Sequence, residues 1–109
     1  MTMEEIRALM DSTEIYYDPV HPDYIEAQKL QELPLPFSEW ALEEVTFSAD
    51  DEVYHAWDQL IVRVFWDIET HSAPETVKAA LRRAHLTYTT EKEFLPELGF
   101  WQTTFTTEV

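Results

Sequence analysis

The sequence feature that most restricts the fold is an alternating pattern of apolar residues between residues 53 and 69. In the later part of this stretch every second residue is apolar, and the residues between them mix apolar with charged side chains. Successive side chains of a β-strand point to opposite faces, so the pattern predicts one long strand with a core-facing side and a half-covered side. Strands typically have about five or six residues, so we expect this one to project beyond its sheet. The core-facing set is Leu60, Val62, Val64, Trp66 and Ile68, and the other set is Ile61, Arg63, Phe65, Asp67 and Glu69.

Two helices are predicted, one on each side of this strand in the sequence. Apolar residues recur at helical spacing in residues 3–10 and in residues 73–84. The second helix follows Ser72-Ala73-Pro74-Glu75, which has the sequence of a capping box with proline in the first turn. Its apolar residues, which we expect to face the core, are Val77, Ala80, Leu81 and Ala84.

The remaining segments predict shorter strands. Residues 37–47 should be extended and lie at a sheet edge, because prolines precede them. Residues 86–90 and 100–109 should form a hairpin whose loop, around residues 92–99, contains the only glycine of the chain. Residues 15–17 have the composition of a short strand.

This order of elements predicts an α+β fold. We expect an antiparallel or mixed sheet of about four to five strands, with two helices packed on one face. The 109 residues fit one domain, residues 1–109, with an irregular loop around residues 18–34.

The composition limits the classes of function. The chain has 22 Asp+Glu against 7 Lys+Arg, a formal charge of −15 and no cysteine. The charge argues against binding to nucleic-acid grooves or backbones. The lack of cysteine excludes a disulfide framework and a cysteine zinc site. No apolar run approaches the roughly 20 residues that span a bilayer, and the acidic N-terminus is unlike a signal peptide, so we expect a soluble intracellular protein.

No residue pattern indicates catalysis, a cofactor or a metal. The histidines are far apart, and none pairs with another at a metal-ligand spacing. No serine lies in a glycine-flanked nucleophile turn, and one glycine cannot build a phosphate-binding loop. We therefore expect no enzyme activity. The histidines of the chain are His21, His55, His71 and His85, and its serines are Ser12, Ser38 and Ser72.

The negative charge is concentrated in the first half of the chain. Residues 1–52 have a net charge of −12 and residues 53–109 a net charge of −3. Two explanations of this acidic surface have about equal weight. It could serve solubility alone, or it could repel phosphate or attract a basic partner. The candidates for an acidic lumen or rim are Glu43, Glu44, Asp50, Asp51 and Glu52.

Aromatic and basic residues supply candidates for protein contacts. Trp66 and Trp101 fall on predicted core faces, whereas Trp57 and Trp40 are as suited to an interface as to a core. Phe65, together with Trp57, is a candidate for subunit contact. The helix 73–84 carries three basic residues that either meet an acidic neighbour or form a solvated face. They are Lys78, Arg82 and Arg83.

An ordered series of short motifs covers roughly residues 33–109. In their order and spacing these motifs resemble the small tail-terminator, or tail-completion, proteins of long-tailed bacteriophages and prophages. The series comprises Leu35-Pro36-Phe37, the stretch Ser48 to Tyr54, the long strand Leu60 to Thr70, Pro74-Glu75, Leu86 with Tyr88, and the closing strand Thr103 to Val109.

The resemblance implies a structural virion protein. Such proteins form a six-fold ring on the finished tail tube, which stops tube growth and presents a surface to the head connector. The implied partners are further copies of the chain, the major tail tube protein and a head-completion or connector protein. DNA would pass through the ring without specific binding, and no membrane is involved. The implied location is the virion tail, with the host cytoplasm during assembly.

Two other classes share this electrostatic character. An acidic inhibitor that mimics DNA and blocks a host nucleic-acid enzyme or defence complex should array carboxylates along one exposed face. An immunity protein that binds a basic toxin uses the same attraction. The clustering of acids at segment ends favours the ring protein over the DNA mimic.

Overall fold

The computed structural model describes residues 1–17, 34–50 and 52–109. These residues form a four-stranded antiparallel sheet with the strand order β1-β2-β4-β3. The α+β prediction is therefore confirmed, whereas the loop predicted around residues 18–34 lies almost wholly outside the described residues. The elements are α1 (Met3–Ser12), β1 (Phe37–Ala49), β2 (Glu52–Trp66), a 3-10 turn (Ile68–Thr70), α2 (Ala73–Arg83), β3 (Thr89–Leu95) and β4 (Phe100–Glu108).

The main core lies between the two helices and one face of the sheet. Its central strand is β2, and the predicted inward residues from Leu60 to Trp66 are all at most 9 % exposed. Phe105 of β4 and Trp40 of β1 join them from the neighbouring strands. The helices contribute their apolar sides, which confirms the helical spacing predicted from the sequence. Their buried core residues are Ile6, Leu9, Met10, Ala73, Val77, Ala80 and Leu81.

The alternation ends earlier than predicted. The strand stops at Trp66, and Asp67 accepts hydrogen bonds from the backbone N–H groups of Glu69 and Thr70. This cap starts the 3-10 turn, which takes the chain out of the sheet and its period of two. Ile68 is consequently 85 % exposed, and its assignment to the core was wrong.

A second, smaller apolar cluster covers one end of the other sheet face. Phe37 and Phe65 are directly opposite on β1 and β2, and their rings stack with centroids 4.7 Å apart. Phe100 meets both rings edge-on, at 6.1 and 5.9 Å. Leu35, Leu95 and Leu98 pack around the three rings. The prediction of a half-covered second face is therefore confirmed.

The helix caps differ from the prediction. The capping box is at α1, where Thr2 and Glu5 exchange side-chain-to-backbone hydrogen bonds of 3.1 Å. At α2, Ser72 has helical backbone angles and its side chain makes no capping hydrogen bond, so the predicted capping box is wrong there. An N-cap side chain reaches the first-turn N–H groups from an extended backbone, which Ser72 does not have.

The final hairpin is confirmed, with different boundaries. Residues 92–95, which were predicted to belong to the loop, continue β3 and pair with β4. The turn shortens to residues 96–99, where Gly99 has a φ of 78° and donates its N–H to the Leu95 carbonyl. The strand predicted at residues 15–17 is reduced to a single parallel bridge between Tyr16 and Phe37.

The segment after α1 is fixed by Tyr17. Its hydroxyl donates to Asp11 Oδ1 at 2.6 Å and to the Arg7 carbonyl at 3.3 Å. Burial, together with the hydrogen bond to the Asp11 carboxylate, raises the pKa of Tyr17 to about 12. This hydroxyl therefore remains protonated in the folded protein after an unfolded tyrosine, with a pKa of about 10, has ionised.

Stability should fall between about pH 10 and pH 12 as the unfolded state gains a Tyr17 ionisation that the folded state resists. Tyr17→Phe should remove this part of the pH dependence. It should also remove a tyrosine ionisation step near pH 12 from an ultraviolet absorbance titration of the folded protein. If this step is unchanged in the variant, the raised pKa belongs to another tyrosine.

Candidate functional site

The most distinctive surface is a two-stranded ribbon that continues past the sheet. β4 pairs with β2 only from Gln59 to Trp66, whereas β1 pairs with β2 along its whole length. We call residues 43–58 the acidic ribbon. Its β2 part, Glu52 to Asp58, extends about 20 Å at the usual rise per strand residue. At the tip, Asp50 has a φ of 52°, which suits a tight two-residue hairpin turn.

The ribbon brings together most of the acids predicted for a lumen or rim. It has six Asp and Glu residues and no Lys or Arg. Glu44 is directly opposite Asp58, an arrangement of like charges that disfavours strand pairing unless the charge is offset. Asp51 lies outside the described residues. The exposed acids are Glu43, Glu44, Asp50 and Glu52.

Exposed apolar side chains also lie on the ribbon. Val53, near the tip, is 70 % exposed, and Trp57, near the base, is 43 % exposed. Val45 of β1 pairs with Trp57 of β2, and the next residue, Thr46, pairs with His55. Ala56 therefore has no partner in β1 and is the extra residue of a β-bulge beside Trp57. Trp57 stays a candidate contact residue. It lines an open groove of about 410 Å³ with Gln59, Tyr88, Thr89, Thr106 and Thr107.

Phe65 is not available for subunit contact. Its side chain is 1 % exposed and is enclosed by Phe37 and Phe100. The prediction was wrong because the alternation places Phe65 on the face away from the helices, and the sequence pattern did not indicate the second apolar cluster there.

The three basic residues of α2 divide into two kinds. Lys78 forms an ion pair of 3.0 Å with Glu75, one helical turn earlier. Arg82 and Arg83 are exposed and make no ion pair within the described part of the chain. They follow the preference of cations for the C-terminal end of a helix.

Two arrangements were missed in the sequence. Arg63 Nη1 lies 3.3 Å from Glu39 Oε1, and this Glu39 carboxylate is 4 % exposed. Lys92 lies over the stacked rings of Trp66 and Trp101, with Nζ 5.2 and 4.7 Å from the ring centroids. The alternation of Thr90, Lys92 and Phe94 is the signal that could have placed Lys92 in a strand.

Within residues 1–17, 34–50 and 52–109 no group of three or more histidine or acidic side chains is arranged to hold a metal ion. In the same residues no helix combines the length and apolarity needed to cross a membrane. Comparisons with protein-family models, curated proteins and solved structures find no match to this chain.

Proposed function

We infer that the protein is a tail-terminator-like structural protein, which forms a ring that ends a phage tail tube and joins it to the head connector. The observation that carries this proposal is the acidic ribbon, a long projection that exposes Val53 and Trp57 and carries six acids without a basic residue. A projecting ribbon with exposed apolar side chains suits contact with another protein. The ordered motifs of the second half support the same family.

The charge suits a ring around DNA. An acidic wall repels phosphates, so DNA can pass without adhering. The same charge opposes assembly, because six copies at −15 each carry −90. Cations that screen or bind the carboxylates should therefore favour the ring.

The test is native mass by light scattering, with negative-stain imaging, across a range of NaCl and Mg²⁺ concentrations. We expect a shift from monomers towards rings of about six copies as the ionic strength or Mg²⁺ rises. An oligomer size that does not change from low to high salt would contradict the role given to charge repulsion.

The alternative is an acidic DNA mimic. Its supporting observation is the row of acids on a projecting element. Glu43 and Glu44 are consecutive in β1 and so lie on opposite faces of the ribbon, which is less suited to mimicry than a single acidic face. A monomer under every condition would favour the mimic, and a pull-down with basic host proteins would then be the next experiment.

A further inference from the structure

A second surface of interest is a groove between the two helices, which is concave where the ribbon projects. An open groove of about 450 Å³ lies between α1 and α2. Half of its lining residues have small side chains, which leave room for another chain beside the two helices. The small residues are Ala8, Ser12, Ala80 and Ala84, and the lining also includes Glu5 and Arg83.

Two basic residues lie at this groove, against one acid in its lining, Glu5, whose carboxylate already accepts a hydrogen bond from the Thr2 backbone N–H. Arg83 lines the groove, and Arg82 is the preceding residue of α2. Neither guanidinium has an ion-pair partner among the described residues, in a chain where acids outnumber bases by 22 to 7. The ribbon offers acids with no Lys or Arg, and its exposed Val53 suits a groove that is lined in part by alanines.

We propose that the acidic ribbon of one copy docks in the α1–α2 groove of a neighbouring copy, with Arg82 and Arg83 facing the ribbon carboxylates. This inference rests on the ring-forming function proposed above. Ribbon and groove are different surfaces of the same chain, so the contact is head-to-tail. Repeated contacts of this kind close into a ring when the rotation between neighbours fits.

The salt dependence expected for ring assembly is compatible with this contact. At about 0.15 M salt, charges more than about 8 Å apart are largely screened, whereas partly buried close pairs are screened much less. Moderate salt should therefore reduce the general repulsion between copies and leave the docked Arg–carboxylate pairs in place.

The test is a charge exchange between the two surfaces at one moderate salt concentration. The ribbon variant is Glu44→Lys with Asp50→Lys, and the groove variant is Arg82→Glu with Arg83→Glu. Each variant alone should lose the ring. The ribbon variant places lysines where the neighbouring copy offers Arg82 and Arg83, and the groove variant places carboxylates where the neighbouring copy offers the ribbon acids. An equal mixture should recover rings in which the two variants alternate.

A matched control separates local from general charge. Glu69→Lys with Glu97→Lys makes the same change in net charge as the ribbon variant, at exposed sites away from the ribbon. This control should assemble at least as well as the original protein. Circular dichroism and the unfolding temperature of each variant establish that it is folded.

Three outcomes decide the inference. Recovery in the mixture supports the ribbon–groove contact. Rings formed by either variant alone, or two non-assembling variants that do not recover when mixed, overturn it. In these two cases a ring formed by the original protein would still uphold the proposed function.

If the original protein is monomeric throughout, covalent capture decides instead. The chain has no cysteine, so Val53→Cys mixed with Ser12→Cys can form only the disulfide under test or pairs of identical variants. A mixed dimer in clear excess over that from Val53→Cys with Glu97→Cys supports the contact. Equal amounts overturn it.

Discussion

Phe65→Ala is expected to lower the free energy of unfolding by about 3–5 kcal/mol, the usual loss when a buried phenylalanine is truncated. The side chain is 1 % exposed, stacks on Phe37 and meets Phe100 edge-on, so its removal leaves a cavity in the second apolar cluster. Domains are typically stable by about 5–15 kcal/mol, so this loss would remove a large share of the free energy of unfolding. Urea unfolding followed by tryptophan fluorescence measures the loss, and Phe65→Leu gives a milder truncation that should fold.

Trp57→Ala is the matched control for Phe65→Ala. Trp57 is an aromatic residue of the same strand but is 43 % exposed, so its loss should change monomer stability by less than about 1 kcal/mol. Its effect should appear in assembly instead. If Trp57→Ala destabilises the monomer as much as Phe65→Ala, the division between a core and a contact residue is wrong.

Arg63→Met is expected to lower the free energy of unfolding by about 2–4 kcal/mol, because it leaves a buried carboxylate without its cationic neighbour. Glu39 is 5 % exposed and directly opposite Arg63 on the adjacent strand. The loss should fall below the maximum for buried pairs, because the Arg63 side chain is 28 % exposed. Methionine keeps much of the apolar stem, so the measurement reports on the loss of the guanidinium, with its charge and its hydrogen bond to Glu39.

The double variant Glu39→Gln with Arg63→Met tests the cause of this loss. Glutamine removes the buried charge at nearly constant volume, so the double variant should be more stable than Arg63→Met alone. Urea unfolding of both single variants and the double variant gives the coupling energy. A coupling energy of zero would show that the two side chains act independently.

The sequence was most informative where periodicity and burial coincide. Leu60, Val62 and Val64 alternate over a stretch buried on one face, and the pattern therefore placed the central strand correctly. The spacing of Val77, Ala80 and Leu81 likewise located the buried side of α2. Both elements bury one side against the same core. The residues on that side are apolar, so they recur at the regular spacing of a strand or a helix.

Other features depended on contacts that a linear pattern does not contain. Phe65 interrupts a partly charged face, and only the pairing of β1 with β2 brings Phe37 opposite it. Residues 92–95 were predicted to lie in a loop, and only their pairing with β4 shows that they continue β3. Ser72 stands in a capping sequence, but its backbone has helical angles and its side chain therefore makes no capping hydrogen bond. The ribbon's length was expected from the strand, whereas the groove between α1 and α2 requires the packing of two distant segments.

The position of β3 has a consequence for aggregation. As the outer strand of the sheet it has one side with no strand partner among the described residues, and such a side can recruit strands from other molecules. Glu91, Lys92 and Glu93 occupy its centre. A symmetric antiparallel pairing about any of these three residues places that side chain opposite its own copy, so like charges face each other. The charged centre of β3 thus opposes uncontrolled fibre growth along the sheet and leaves self-association to other surfaces of the molecule.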